Sequence, residues 1–263
     1  MIFLEMNIRA ANIGMDLQEQ NWHNFCGKHL HDWHGLWTRY TPDGKVTESF
    51  QSLRSFQGNP ERTEVTHTNR YLYADGRTEE KVWHLQKPVL SSIFFEQGPG
   101  AFASKQFEPG KFFAAELFLF HENLRCSAIV GYAEGAELTL IANIREDSQV
   151  PSKYWTTMLD FLTEADRSGK WSGTSTVMGS DSQVLLPVPC DFEWSTEGRK
   201  AIYLPDGVIL LCPESLKRGE TFTITANWLI VPTEMQQVSV SYDEFGAFSN
   251  MNLGLFSREN LAV

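Results

Sequence analysis

Cysteine is scarce in this chain. Four residues in 263 (Cys26, Cys126, Cys190 and Cys212) show no C-x-x-C spacing and are too few and too scattered for a disulfide framework. Free thiols are expected, and with them a reducing compartment: the cytoplasm, or the plastid stroma in a photosynthetic eukaryote. Long apolar runs are missing too. The best, residues 117–120 and 208–211, fall far short of the roughly 20 residues a spanning helix needs, so no membrane span is expected. Positive charge is in deficit, with 22 Lys and Arg against 33 Asp and Glu. The resulting net charge of -11 repels nucleic acid and anionic membrane and leaves a neutral ligand or a basic partner as easier company. The opening MIFLEMNIRAANIG lacks a basic segment followed by an apolar one, so no signal peptide is read there, and residues 1–14 read as an N-terminal extension ahead of Met15. Also absent are a G-x-S-x-G elbow, a P-loop, a Rossmann glycine pattern and a cysteine beside an activating histidine, so nucleophilic catalysis has no support and no cofactor is called for.

Aromatic residues are abundant instead. They make up 13% of the chain, with 18 Phe, 8 Trp and 7 Tyr, a bias towards strands and apolar pockets. Asp16 is placed to cap a helix running through Glu19, Trp22, Phe25 and Cys26. After it, short β-branched and aromatic runs alternate with turns such as Pro42-Asp43-Gly44, Ala74-Asp75-Gly76, Pro109-Gly110 and Pro205-Asp206-Gly207, the pattern of antiparallel hairpins. Strands are predicted near 34–41, 45–57, 62–73, 78–86, 90–97, 101–107, 111–120, 123–133 and 136–145, enough to close a barrel and remove its edges. Residues 148–168 interrupt the rhythm with Pro151 and a helix-compatible stretch holding Tyr154, Met158, Phe161 and Leu162. Strands resume near 170–178, 183–187, 190–196, 199–204, 207–213, 220–231, 235–243 and 247–258.

The two halves repeat one another. Trp33-His34-Gly35 matches Trp171-Ser172-Gly173, and 139–147 lies beside 252–260, which pairs Arg145 with Arg258. Residues 116–120 match 227–231, with Tyr132 and Tyr242 following at similar distances. The reading is all-β: a first antiparallel barrel over 15–147, a linker with a short helix over 148–168 and a second, shorter barrel over 169–260, each barrel preceded by a helical segment.

Gly35-Leu36-Trp37 is a G-x-W at the start of a barrel strand, and it resembles the lipocalin-like, or calycin, barrels. That resemblance implies that Trp37 plugs the closed end and that Arg145 stacks on it, with Trp171 and Arg258 closing the second copy. A wider set of residues, 16–39, Gly100 to Gln106, Glu116 to Tyr132, Arg145-Glu146, and Ala226-Asn227-Trp228-Leu229 to Tyr242, resembles the DUF3598 family across nearly all of 15–260. This is a cyanobacterial and chloroplast-lineage group with two tandem lipocalin-like barrels and no settled activity. The family pattern has two arginines flanking one residue after a Glu-bearing strand in each copy. This chain keeps Arg125 in the first copy, has Gln236-Gln237 in the second, and places Asn227 where an acid is usual.

Glu116 is the residue of most interest, since a carboxylate amid 112–120 must face water, join an inward ion pair or anchor a ligand. The period of two puts Glu116, Phe118 and Phe120 on one face, with Arg125 or Tyr132 expected to meet the acid. Asn227, Leu229 and Val231, with Tyr242 nearby, form the corresponding face, so the first pocket is expected to be charged and the second more apolar. His29, His31 and His34 form an H-x-H-x-x-H cluster at a helix-to-strand junction, where three directions disfavour a metal. His67, His84 and His121 stand alone, and Glu79-Glu80, Glu146-Asp147 and Asp243-Glu244 read as solvated charges at strand ends. Three functions remain open: binding of a small apolar molecule (pigment, isoprenoid or fatty-acid-like), a cyclase, isomerase or chromophore lyase acting in such a pocket, and an interaction module with filled barrels. The oligomeric state is not legible here.

Overall fold

The computed structural model describes residues 16–87, 92–155, 161–196 and 198–258, so the extension over 1–14 lies outside the described residues. The fold is antiparallel and nearly all β. Helix α1 spans Leu17–His29 with Asp16 at its N-cap, its side chain accepting from Gln18 N. The first sheet holds β1 (Asp32–Tyr40), β2 (Val46–Gly58), β3 (Glu64–Leu72), β4 (Thr78–Gln86), β5 (Ser92–Phe94), β6 (Gly100–Ala103), β7 (Phe113–His121), β8 (Leu124–Tyr132) and β9 (Leu138–Asp147), in the order β4-β3-β2-β1-β9-β8-β7-β6-β5. After a single turn of helix, α2 (Glu164–Arg167), come β10 (Trp171–Gly179), β11 (Val188–Phe192), β12 (Lys200–Leu204), β13 (Val208–Cys212), β14 (Phe222–Val231), β15 (Glu234–Tyr242) and β16 (Phe248–Ser257). These form a second sheet in the order β11-β10-β16-β15-β14-β13-β12. The strand predicted at 183–187 is reduced to one bridge, Met178 to Val184, ahead of Pro187, which cannot donate to a ladder. Among the described residues no helix is long and apolar enough to cross a membrane, and Cys26, Cys126, Cys190 and Cys212 are free thiols.

The first sheet is curled. Strands β2 and β7 have three strands between them, yet the Arg54 and Glu116 side chains meet across the concave face at 3.0 Å. Curling does not become closure: among the described residues no ladder joins β4 to β5, against the expectation of a barrel without edges. Helix α1 covers the β5 edge in place of a strand. Asn21 Nδ2 donates to Ser92 O and its Oδ1 accepts from Phe94 N, both at 2.6 Å, while Asn24 Nδ2 donates to Phe94 O at 2.8 Å. Trp22, Phe25 and Cys26 from the same helix then pack on Trp33, Phe56, Val65, Phe94 and Phe118, sealing that end. Asn21→Ala strands the buried Phe94 amide, so we expect a loss of about 2 kcal/mol, read as a lower urea midpoint together with faster hydrogen exchange at Phe94.

The two sheets pack back to back through their convex faces. Phe113, Leu117, Val130 and Ile141 of the first meet Phe222, Ala226, Val240 and Met251 of the second in one core. The contacts are reciprocal, as in an isologous dimer. Tyr132 donates to Pro213 O and Tyr242 to Ser104 O, both at 2.8 Å. Leu138 N donates to Glu214 O and Phe248 N to Lys105 O, and likewise Leu216 N to Ala136 O and Phe107 N to Gly246 O. The repeat read from the sequence is therefore present, with a corrected register. Gly35 pairs with Glu146 and Gly173 with Phe256, which makes Leu255, not Arg258, the counterpart of Arg145. Phe120 pairs with Arg125 and Leu229 with Met235, so Thr225 stands at the place of Glu116 and Asn227 at that of Phe118. The glycine of each W-x-G, Gly35 and Gly173, is required by close approach: an added Cβ would lie 2.0 Å from Arg145 O at Gly35 and 1.9 Å from Leu255 O at Gly173.

Candidate functional site

The concave face of the first sheet collects buried charge. Alternation along β2, β7, β8 and β9 aims Arg54, Glu116, Arg125 and Glu146 at one another. Arg54 Nη1 lies 3.0 Å from Glu116 Oε1 and 3.6 Å from Glu146 Oε2, while Arg125 Nε donates to Glu146 Oε2 at 2.8 Å. Glu116 therefore meets Arg54, a partner in a strand that the sequence reading did not connect to it, rather than Arg125 or Tyr132. Arg54, Arg125 and Glu146 are almost wholly buried, and the Glu116 side chain, 16% exposed, is the quartet's outlet to solvent. Aromatic rings enclose the guanidinium groups: Arg125 lies 4.3 Å from the Trp33 ring, and Phe118 stands 5.5 Å from both arginines. His29, from α1, completes the set. Its Nε2 faces the Gly98 carbonyl at 2.8 Å and so carries the proton, leaving Nδ1 to accept from Arg125 Nη1 at 3.2 Å.

Burial and the neighbouring Arg125 hold His29 well below the ordinary histidine range, so it is neutral here. Burial also lowers Arg125 to about 10. At Arg54 burial pushes the same way, but Glu116 and Glu146 outweigh it and raise the group. On the adjoining strand His67 stacks on Phe56 at 4.1 Å and faces Asn69 Oδ1 at 2.7 Å; burial takes it to about 3. Several buried polar atoms of this face have no hydrogen-bond partner among the described residues: Arg54 Nε, Glu146 Oε1, Trp37 Nε1, Ser52 Oγ and Ser127 Oγ. Native interiors rarely leave such groups unmet, and here they gather on one concave surface.

Phe118 and Phe120 share the concave face with Glu116, as the alternation requires. Tyr132 and Tyr242 do not belong to it; they are the reciprocal pair of the back-to-back interface. Arg145 is also on the convex side, where it pairs with Asp206 of the second unit instead of stacking on Trp37. Trp37 is covered by Arg54 at 5.8 Å and packs on Phe50 and Tyr71. Arg258 does cover Trp171, at 4.6 Å. Leu229 joins Trp171, Met235 and Phe256, whereas Val231 at the strand end is exposed. Glu146 and Asp147 are buried, not solvated, and Asp147 accepts from Ser152 Oγ and Lys153 N. His31 stands against Trp33 and His34 against Trp155, so neither joins His29. Among the described residues no three potential ligands gather for a metal.

The corrected repeat gives the quartet its counterpart. Arg54, Glu116, Arg125 and Glu146 correspond to Phe192, Thr225, Met235 and Phe256. The same frame thus carries ion pairs in one sheet and an apolar cluster in the other.

Residues 18–150 match the family model described as a domain of unknown function, DUF3598, N-terminal. The chain belongs to the DUF3598 family. Residues 121–255 also match the model described as biogenesis factor required for ATP synthase 1, C-terminal domain. The crystal structure of a DUF3598 protein of unknown function from Nostoc punctiforme is similar over 91% of this chain and 99% of its own, at 19% identity and a TM-score of 0.77, which supports the shared fold. The S-type phycobiliprotein lyase CPES from Guillardia theta covers 96% of this chain and 100% of its own, but 7% identity and a TM-score of 0.21 carry no argument. No curated protein matches the chain.

Proposed function

We propose that this DUF3598 protein binds a small, mostly apolar molecule, of the pigment, isoprenoid or fatty-acid kind, on the concave face of its first sheet. The observation that carries this reading is the set of unpartnered buried polar atoms around Arg54 and Glu146, ringed by Phe118, Trp37 and Trp33. The rings supply apolar contact, and the polar set fixes one end of the guest. Glu116, partly exposed, is the anchor. Native mass spectrometry of the chain purified from its own host should show a bound small molecule. Glu116→Gln should lower its occupancy at least tenfold with a melting temperature within about 2 °C, because the Gln oxygen still accepts from Arg54. Unfolding without a separate effect on occupancy would make Glu116 structural.

A second reading, assistance in the assembly of an ATP synthase, rests on the match over residues 121–255. Its test is genetic: loss of the gene should lower assembled ATP synthase, and an unchanged level would remove it.

A further inference from the structure

We propose that the concave face of the second sheet is a separate binding site, for an uncharged amphiphile bearing a hydrogen-bond-accepting oxygen, with the Asn227 amide as its anchor. Asn227 is fully buried. Its Oδ1 accepts from Gln237 Nε2 at 2.7 Å, while its buried Nδ2 has no partner among the described residues. Trp171 Nε1 and Trp194 Nε1 are buried and unpartnered in the same way. All three are donors, and among the described residues of the second unit no buried side-chain acceptor is left unmet. The first sheet differs, for there a carboxylate oxygen is among the unmet atoms. A donor-only set selects a guest that brings oxygen lone pairs.

The surroundings set the polarity of that guest. The residue at the place of Asn227 in the first sheet is Phe118, whose ring stands between the two arginines; here the ring is gone and the charges are replaced by Phe192, Met235 and Phe256. Lower on the face lie neutral polar groups, including Thr225, Ser239 and the mutually hydrogen-bonded Ser175 and Asn252. Two arginines border this face and both are committed: Arg199 to Thr225 Oγ1 and Ser195 O, and Arg258, which lies over the Trp171 ring, to Pro232 O and Ser168 O. A charged headgroup would be desolvated beside Asn227 without a counter-ion, a cost an uncharged oxygen avoids. A cleft of about 770 Å³ opens at the Thr223 end of β14, with Arg199 and Thr223 in its lining.

The test uses the full chain and Nile red, an uncharged dye with a ring carbonyl whose emission shifts to the blue in apolar sites. Saturable binding is expected, with Kd raised at least tenfold by Asn227→Leu and unchanged by Glu116→Gln. Decan-2-one should displace the dye and decanoate should not. Should Asn227→Leu fail to fold, Ser239→Leu, which fills the face, should abolish binding. Absence of binding, equal displacement by decanoate, or dye binding indifferent to Asn227→Leu, or to Ser239→Leu where that variant serves, would overturn the proposal. Sensitivity to Glu116→Gln alone would also overturn it while leaving the reading of the first sheet intact.

Discussion

Glu146→Phe alone should destabilise the protein by about 3–5 kcal/mol, because it strips the buried Arg125 of its hydrogen-bonded carboxylate. Arg125 has Glu146 as its hydrogen-bonded acid and two more cationic or neutral neighbours, Arg54 and His29, that cannot replace it. The loss should appear as a lower urea midpoint with an unchanged slope. Adding Arg54→Phe, Glu116→Thr and Arg125→Met rebuilds the residues that the second sheet carries at the same places, Phe192, Thr225, Met235 and Phe256. Buried ion networks commonly contribute no more than a well-packed apolar group of similar volume. The fourfold variant should therefore recover to within about 2 kcal/mol of the parent, a strong departure from additivity among residues in contact. If it stays as unstable as Glu146→Phe, the two sheets do not share an interchangeable frame.

Acid should destabilise the protein well before its carboxylates titrate. His67 is held at about 3 and His29 also lies far below the ordinary range, both through burial and both beside Arg54 and Arg125, which oppose a further positive charge. In the unfolded chain each titrates near 6.5. Below that pH the unfolded state binds protons that the folded state refuses, so stability is full above about pH 6.5 and falls towards the folded value as acid is added. At pH 5 the loss from His67 is about 2 kcal/mol, and His29 adds to it in the same direction. Urea midpoints at pH 7, 6 and 5 should show it, and His67→Gln, which keeps a hydrogen-bonding amide beside Asn69, should reduce the slope. A midpoint that does not move between pH 7 and pH 5 would mean that neither imidazole is held neutral by the fold.

Much of the fold was legible because period and punctuation are local. The predicted hairpins fall close to the observed strands, and Gly44, Gly76, Gly110 and Gly207 all take the positive φ that their turn signals imply. The site was legible only in part. Alternation correctly put Glu116, Phe118 and Phe120 on one face, but the partner of Glu116 comes from β2, and no local pattern states which strands a curled sheet brings into contact. Arg54 was overlooked for that reason. Glu146 and Asp147 look like a solvated pair at a strand end; they are buried because Glu146 faces Arg54 and Arg125 across the curled sheet and the chain at Ser152 and Lys153 folds back onto Asp147. The repeat was seen three residues out of register at Arg258, since chemical likeness to Arg145 is a weaker guide than the glycine that must sit against its neighbouring strand.

On the proposed reading the buried quartet serves a guest more than it serves the fold. The direct measurement is a native mass spectrum of the fourfold variant Arg54→Phe, Glu116→Thr, Arg125→Met, Glu146→Phe, purified from the same host as the parent. A folded protein that has lost the small molecule carried by the parent is the predicted result. A folded variant that carries the same molecule at the parent's occupancy would contradict the claim.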